Sequence, residues 1–342
     1  MQLDSPTTLD LFNASPSVPR DLLVWQHAIA CLRAGIPVSL LLVVSSSGSS
    51  PGRQGFKMSV APGSMVGSIG GGIMEHKFVE LARHGLADGR REVLLREQVH
   101  RGEAPHNRSG MICSGQQTLL LLPLHEDHLP TLRFVADALQ HHHPAWLRCT
   151  ARGELQAAAG APPRAPGLHR PADDAADAWQ YVEMLGFRDQ LTIVGGGHVG
   201  LALSQVVAHL DFRLTVLDDR SGLNTLQLNP YAHDKRTVDY GVLGQAIADG
   251  PHQYVVVMTF GYRTDGVALR QLLGRPFAYL GVMGSAAKIT TMRRELRAEG
   301  YPEAQLARVH APIGLPIHSR TPEEIAISVA AELIRVRNAP RG

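Results

Sequence analysis

An apolar run at 191–194 ends in Gly195-x-Gly197-x-x-Gly200, where a segment of helical pattern begins. Glycines at this spacing let a backbone turn approach a diphosphate, and a helix start adds N–H donors and partial positive charge. Asp218 closes the following apolar segment, at the spacing of an acid that accepts a ribose hydroxyl pair. His198, inside the fingerprint, faces a ligand or simply fills the turn. A second strand-to-helix turn, Val282-Met283-Gly284-Ser285, offers Ser285 as a helix cap with Lys288 in the first turn. A cation there opposes the helix dipole unless an anion offsets it, so Gly284, Ser285 and Lys288 form a second candidate anion site. A solvated lysine on an exposed helix face is the plainer alternative. His310, before Ala311-Pro312 at the expected end of the last strand, completes the carboxyl-terminal candidates. The glycine turn can also serve only to pack helix against strand, leaving the crevice empty or repurposed.

The first half carries two glycine-rich loops, GSSPGRQGFKMSV at 48–60 and GSIGGGIMEHKFVELA at 67–82. Backbone N–H groups around Gly70, Gly71 and Gly72 can converge on an oxygen-rich ligand. Arg53 and Lys57 could add charge-assisted hydrogen bonds. Glu75 could accept N–H groups of a pterin-like ring, or serve only as an acid near a helix start. His141-His142-His143 points its side chains about 100° apart on a helix, which suits solvated surface better than one metal ion. No metal site is expected.

These residues need a scaffold, and the chain is long enough for two domains at 342 residues. With 44% hydrophobic and 19% charged residues and a formal net charge of +2, it has ordinary globular composition. No basic run is dense enough for nucleic acid, and the apolar run at 38–44 is too short for a bilayer. The first residues lack the charged start and apolar core of a secretory signal. Cys31, Cys113 and Cys149 have no metal-like spacing, which fits free thiols in a reducing cytoplasm.

Residues 1–19 read as a loose arm and 20–156 as an amino-terminal α/β (α+β) domain. In it, helices are expected at 22–32, 75–85 and 128–140, and strands at 38–44, 57–61, 93–100 and 116–123. The Ala-, Pro-, Arg- and Asp-rich stretch following is the candidate linker, 157–187. From 188 to 342, strands at 191–195, 213–218, 235–240, 254–259, 277–283 and 307–311 alternate with helical segments. That alternation predicts a Rossmann-like, doubly wound parallel sheet. Thr321-Pro322-Glu323-Glu324 is a capping box, and Ile325, Val329, Leu333 and Val336 form the buried stripe of a final helix.

The loops SSSGSSPGRQGFKMSV and GSIGGGIMEHKFVE together resemble the amino-terminal signature of the XdhC/CoxI family, the xanthine dehydrogenase accessory factors. The resemblance continues through GMICSGQQTLLLLPL, VGGGHVG, LDDR, LGVMGSAAK, HAPIGLPI and TPEEIAISVAAELI, over nearly the whole chain after the arm. It implies a chaperone that binds molybdenum cofactor (molybdopterin). Such a chaperone supports cofactor sulfuration with a cysteine desulfurase and delivers the product to a xanthine dehydrogenase-type molybdenum hydroxylase. A homodimer is implied as well. Cys113, in MICSG, becomes a candidate for contacting molybdenum or carrying sulfur, against the alternative of a small buried residue. Two positions depart from the family pattern. Ile73 stands where many relatives have cysteine, and Phe260 follows Thr259 where many have histidine. An NAD(P)-dependent oxidoreductase resting on Asp218, and a non-enzymatic nucleotide or redox sensor, remain the competing functions.

Overall fold

The computed structural model describes residues 19, 21–99, 115–171 and 178–339. The chain divides into two compact units, Met1–Gly186 and Phe187–Gly342.

In the first unit α1 (Asp21–Arg33) precedes β1 (Val38–Gly48), β2 (Lys57–Val60), β3 (Met65–Gly67) and α2 (Gly72–Ala87). Then come β4 (Leu94–Val99), β5 (Gly115–Leu124), α3 (Leu129–Gln140), β6 (Ala145–Thr150), β7 (Leu155–Ala159), β8 (Gly167–His169) and β9 (Gln180–Leu185). Five strands form an antiparallel sheet in the order β3-β2-β1-β5-β4. Over residues 38–44 β1 is buried on both faces, which is why that part reads as a largely apolar run. Leu40, Leu42 and Val44 enter a core with Trp25 and Ala28 of α1, while Leu41 and Val43 join Phe78 and Val79 of α2. The two-residue period of a strand sorts these neighbours onto opposite layers.

The remaining strands form a separate antiparallel sheet, β7-β6-β9-β8. This corrects the linker expected at 157–187, which holds the end of β7 and all of β8 and β9. Gly, Pro and Arg break that stretch into pieces too short to show periodicity. Tyr181 and Val182 are fully buried only because β9 pairs with β6.

The second unit runs β10 (Asp189–Val194), α4 (His198–Val207), β11 (Phe212–Asp218), α5 (Asn224–Gln227), β12 (Asp234–Thr237) and α6 (Leu243–Ala246). It continues with β13 (Gln253–Val257), α7 (Tyr262–Leu272), β14 (Tyr279–Val282), α8 (Ala286–Ala298), α9 (Glu303–Ala307), β15 (Val309–His310) and α10 (Pro322–Asn338). All six strands pair in parallel, in the order β12-β11-β10-β13-β14-β15. That is the Rossmann order, with its switch point between β10 and β13. β15 is shorter than the strand expected at 307–311, because α9 takes its start and Pro312 supplies no N–H beyond it. Thr321 and Glu324 cap α10 reciprocally at 3.3 and 3.2 Å. Val329 and Leu333 join Leu203 and Val207 of α4 in one core on that face of the sheet.

Candidate functional site

The carboxyl ends of β10, β11 and β13 place the glycine turn between Asp218 and Thr259. A Cβ on Gly195 would stand 2.2 Å from the Met258 carbonyl oxygen, and one on Gly200 would stand 2.2 Å from that of Gly195. No side chain fits either gap, so both glycines are required by packing alone. Gly197 has open space where a side chain would project, and the exposed His198 starts α4 beside it.

Asp218 is fully buried, and its role differs from the one expected. Oδ2 accepts from the Gly196 N–H at 2.7 Å and from Arg220 Nη2 at 2.8 Å. Oδ1 accepts from Arg220 Nε at 2.8 Å and from the Arg220 N–H at 3.0 Å. A carboxylate offers about four acceptor positions, and all are taken. Burial alone would raise the Asp218 pKa, but the Arg220 side chain and the two backbone N–H groups hold it below the ordinary value. No acceptor remains for a ribose hydroxyl pair. From the other side of β10, the Phe260 ring reaches toward this clamp, with Arg220 Cζ 5.8 Å from its centroid. Phe260 is 89% exposed.

Ser285 caps α8 as expected, accepting from the Lys288 N–H at 3.2 Å. The anion that balances Lys288 is internal, however. Lys288 Nζ pairs with Asp265 and donates to the Met283 carbonyl at 3.0 Å. Asp265 is fully buried and also accepts from the Thr259 N–H and hydroxyl at 2.8 and 2.7 Å. His310 is not brought to the glycine turn: β15 lies three strand spacings from β10, about 14 Å. Its ring stacks on Tyr279 at 4.4 Å, and Nδ1 lies 3.3 Å from Glu332 of α10.

In the first unit, Glu75 turns back onto its own loop. Its Oε2 accepts from the Ser68 hydroxyl at 2.6 Å and from the Ile69 and Gly71 N–H groups at 2.9 and 3.0 Å. The Gly70 N–H donates to Ser68 Oγ at 3.1 Å. Of the N–H groups expected to converge from Gly70–Gly72, only that of Gly71 joins Ile69, on this chain's own carboxylate, while Gly70 turns to Ser68 and Gly72 passes directly into α2. Lys57 is also withdrawn from ligand. Its side chain is 3% exposed, paired with Asp21 and lying 3.5 Å from Glu183. Burial would lower the lysine pKa, and the two carboxylates more than reverse that. Arg53 is exposed and donates to the Gly48 carbonyl at 3.0 Å, closing its loop. Cys113 lies outside the described residues. Cys31 and Cys149 are buried thiols, and burial pushes Cys149 up to about 12.

Arg220, Asp265, Asp21 and Glu183 are partners that motif spacing passes over, since each acts on a residue distant in sequence or hidden within a motif. Arg220 alone had a signal, standing two places after Asp218 in LDDR. Among the described residues no group of three or more His, Cys, Asp or Glu could hold a metal, and no helix is long and apolar enough to cross a membrane.

Two family models match the chain: the XdhC and CoxI family over residues 31–97 and the XdhC Rossmann domain over 191–333. The uncharacterized protein YqeB of Escherichia coli (strain K12) is 28% identical over 321 residues, covering 93% of this chain and 47% of that protein. A probable xanthine dehydrogenase subunit of Bacillus subtilis (strain 168) is 28% identical over 170 residues, 50% of this chain and 49% of that protein. The chain thus spans about half the length of the curated relatives it matches. A crystal structure of a xanthine dehydrogenase from Bacillus halodurans superposes with a TM-score of 0.69 at 21% identity, covering 94% of this chain and 96% of that one. At that identity the likeness concerns the fold.

Proposed function

Because the chain belongs to the XdhC/CoxI family, we propose that it is an accessory factor that binds molybdenum cofactor, supports its sulfuration and hands it to a xanthine dehydrogenase-type molybdenum hydroxylase. A cysteine desulfurase would be the second partner, and a homodimer the working assembly. The observation that carries the reading is the saturated Asp218. A Rossmann crevice whose ribose acceptor is already spent has lost the feature on which a nicotinamide dehydrogenase depends.

The residues fit an anionic pterin in one unit better than in the other. In the first unit, the Glu75 carboxylate occupies the Ile69 and Gly71 N–H groups and would repel a phosphate. In the second, the open Gly197 position, His198 and the start of α4 remain for a phosphate, and Phe260 remains for a ring. The bound group would supply the molybdenum and sulfur chemistry that the client needs. The chain's residues would hold, orient and shield it. Titration of the purified chain with molybdopterin, followed by absorbance, should saturate in near-equal amounts, while NADH should leave the spectrum unchanged. Tight NADH binding with no response to molybdopterin would refute the reading.

A further inference from the structure

Three side chains at the mouth of the Rossmann crevice present surface or donors that the clamp on Asp218 does not use. Phe260 is 89% exposed beside the glycine turn, a position that contributes almost nothing to a core. Arg220 reaches from the end of β11 to within 5.8 Å of that ring, across the strand that lies between them. Its Nε and Nη2 are committed to Asp218, which leaves Nη1 unengaged by that carboxylate. Asp219 is 40% exposed, with Oδ1 4.0 Å from Arg220 Nε, and its carboxylate accepts no hydrogen bond among the described residues.

We propose that Phe260, Arg220 and Asp219 recognise the 2-amino-4-oxo-pyrimidine edge shared by pterins and guanine. The pterin form of this proposal rests on the function given above. A flat heterocycle stacks on Phe260, an attraction open to any ring with a π-face. The guanidinium, over Phe260 with Cζ 5.8 Å from its centroid, adds a cation–π contribution and a donor for the 4-oxo group. The ring N–H and the 2-amino group then both donate to Asp219, the fork geometry that carboxylates favour. Two carboxylates and one guanidinium leave the mouth net negative, which suits a neutral ring presenting donors. Adenine would turn an acceptor toward Asp219 and is selected against. With Asp218 saturated, a ribose adds nothing, so recognition falls on the ring.

The test titrates 6-hydroxymethylpterin into the full-length chain and follows pterin fluorescence, with GMP and AMP as competitors. Saturable quenching is expected, GMP should compete, and AMP should be at least about tenfold weaker. Phe260→Ala should weaken binding at least about tenfold with an unchanged melting temperature, and Phe260→Trp should preserve it. Asp219→Asn should erase the preference for GMP over AMP. Saturable binding of GMP read by calorimetry, without pterin binding, would support the site and assign it to a guanine nucleotide. Absence of saturable binding to either ring, AMP competing as well as GMP, or wild-type affinity in Phe260→Ala would overturn the proposal. Molybdopterin binding that is unaffected by Phe260→Ala would sink this inference and leave the accessory function standing. Binding of 6-hydroxymethylpterin without any of molybdopterin would do the reverse.

Discussion

Glu332 lies between Val329 and Leu333 on the buried side of α10, yet its carboxyl is held at about 2 rather than the usual 4.5. Burial pushes the value up, but His310, the Tyr279 hydroxyl at 2.7 Å and the Gly314 N–H at 2.8 Å outweigh it. A pKa lowered by folding stabilises the folded chain at neutral pH, and that contribution is lost as pH falls from about 4.5 to about 2. Melting temperatures across that window should fall more steeply for the wild type than for Glu332→Gln. Parallel curves would show that the carboxylate contributes nothing. Glu332 shows what a helical stripe conceals. Val329 and Leu333 are legible by their period, but a buried acid within the same turn is visible only once β14 and β15 bring Tyr279 and His310 to it. Asp218 was legible as the acid after the second strand, and its partner Arg220 stood in plain view. That the pair would consume each other depends on a side-chain geometry that no spacing encodes.

At the scale of elements, the turn into α2 and the strap of residues before β2 are built as one unit. Gly70 has φ +125°, and a Cβ there would stand 2.4 Å from the Gly52 backbone nitrogen. Gly71 has φ +76° and no atom within 4 Å of where its side chain would project. Gly71→Ala should therefore cost only the backbone strain of its φ +76°, ψ −174° conformation, a region nearly exclusive to glycine, about 1–3 kcal/mol. Gly70→Ala must also push the two loops apart and should cost about 3 kcal/mol or more. Chemical denaturation of the two variants checks the order, and equal losses would mean that the loops do not pack as described. The same elements mark where legibility stops. Long, strongly apolar strands such as β1, β5, β10 and β13 declare themselves, because both of their faces are covered. β7, β8 and β9 do not, since each is short and their alternation is broken by glycine and proline. What makes them strands is pairing that composition cannot report: β7 and β9 with β6, and β8 with β9.

On the scale of the whole molecule, each unit contains its own cores. All six strands of the parallel sheet and both clusters that cover it lie within 187–342. That segment expressed alone should melt in a single cooperative transition with dispersed amide resonances. A molten product would show that the first unit supplies part of its stability. The alternation of strands and helices after 188 made this architecture readable, whereas the four-stranded sheet that ends the first unit was not. Asp218 has a further consequence for the chain in its surroundings. Pyridine nucleotides are plentiful wherever metabolism runs, and an ordinary crevice of this shape would be crowded with them. A sugar arriving here meets an acid already satisfied by its neighbours, so the common guest gains little by staying.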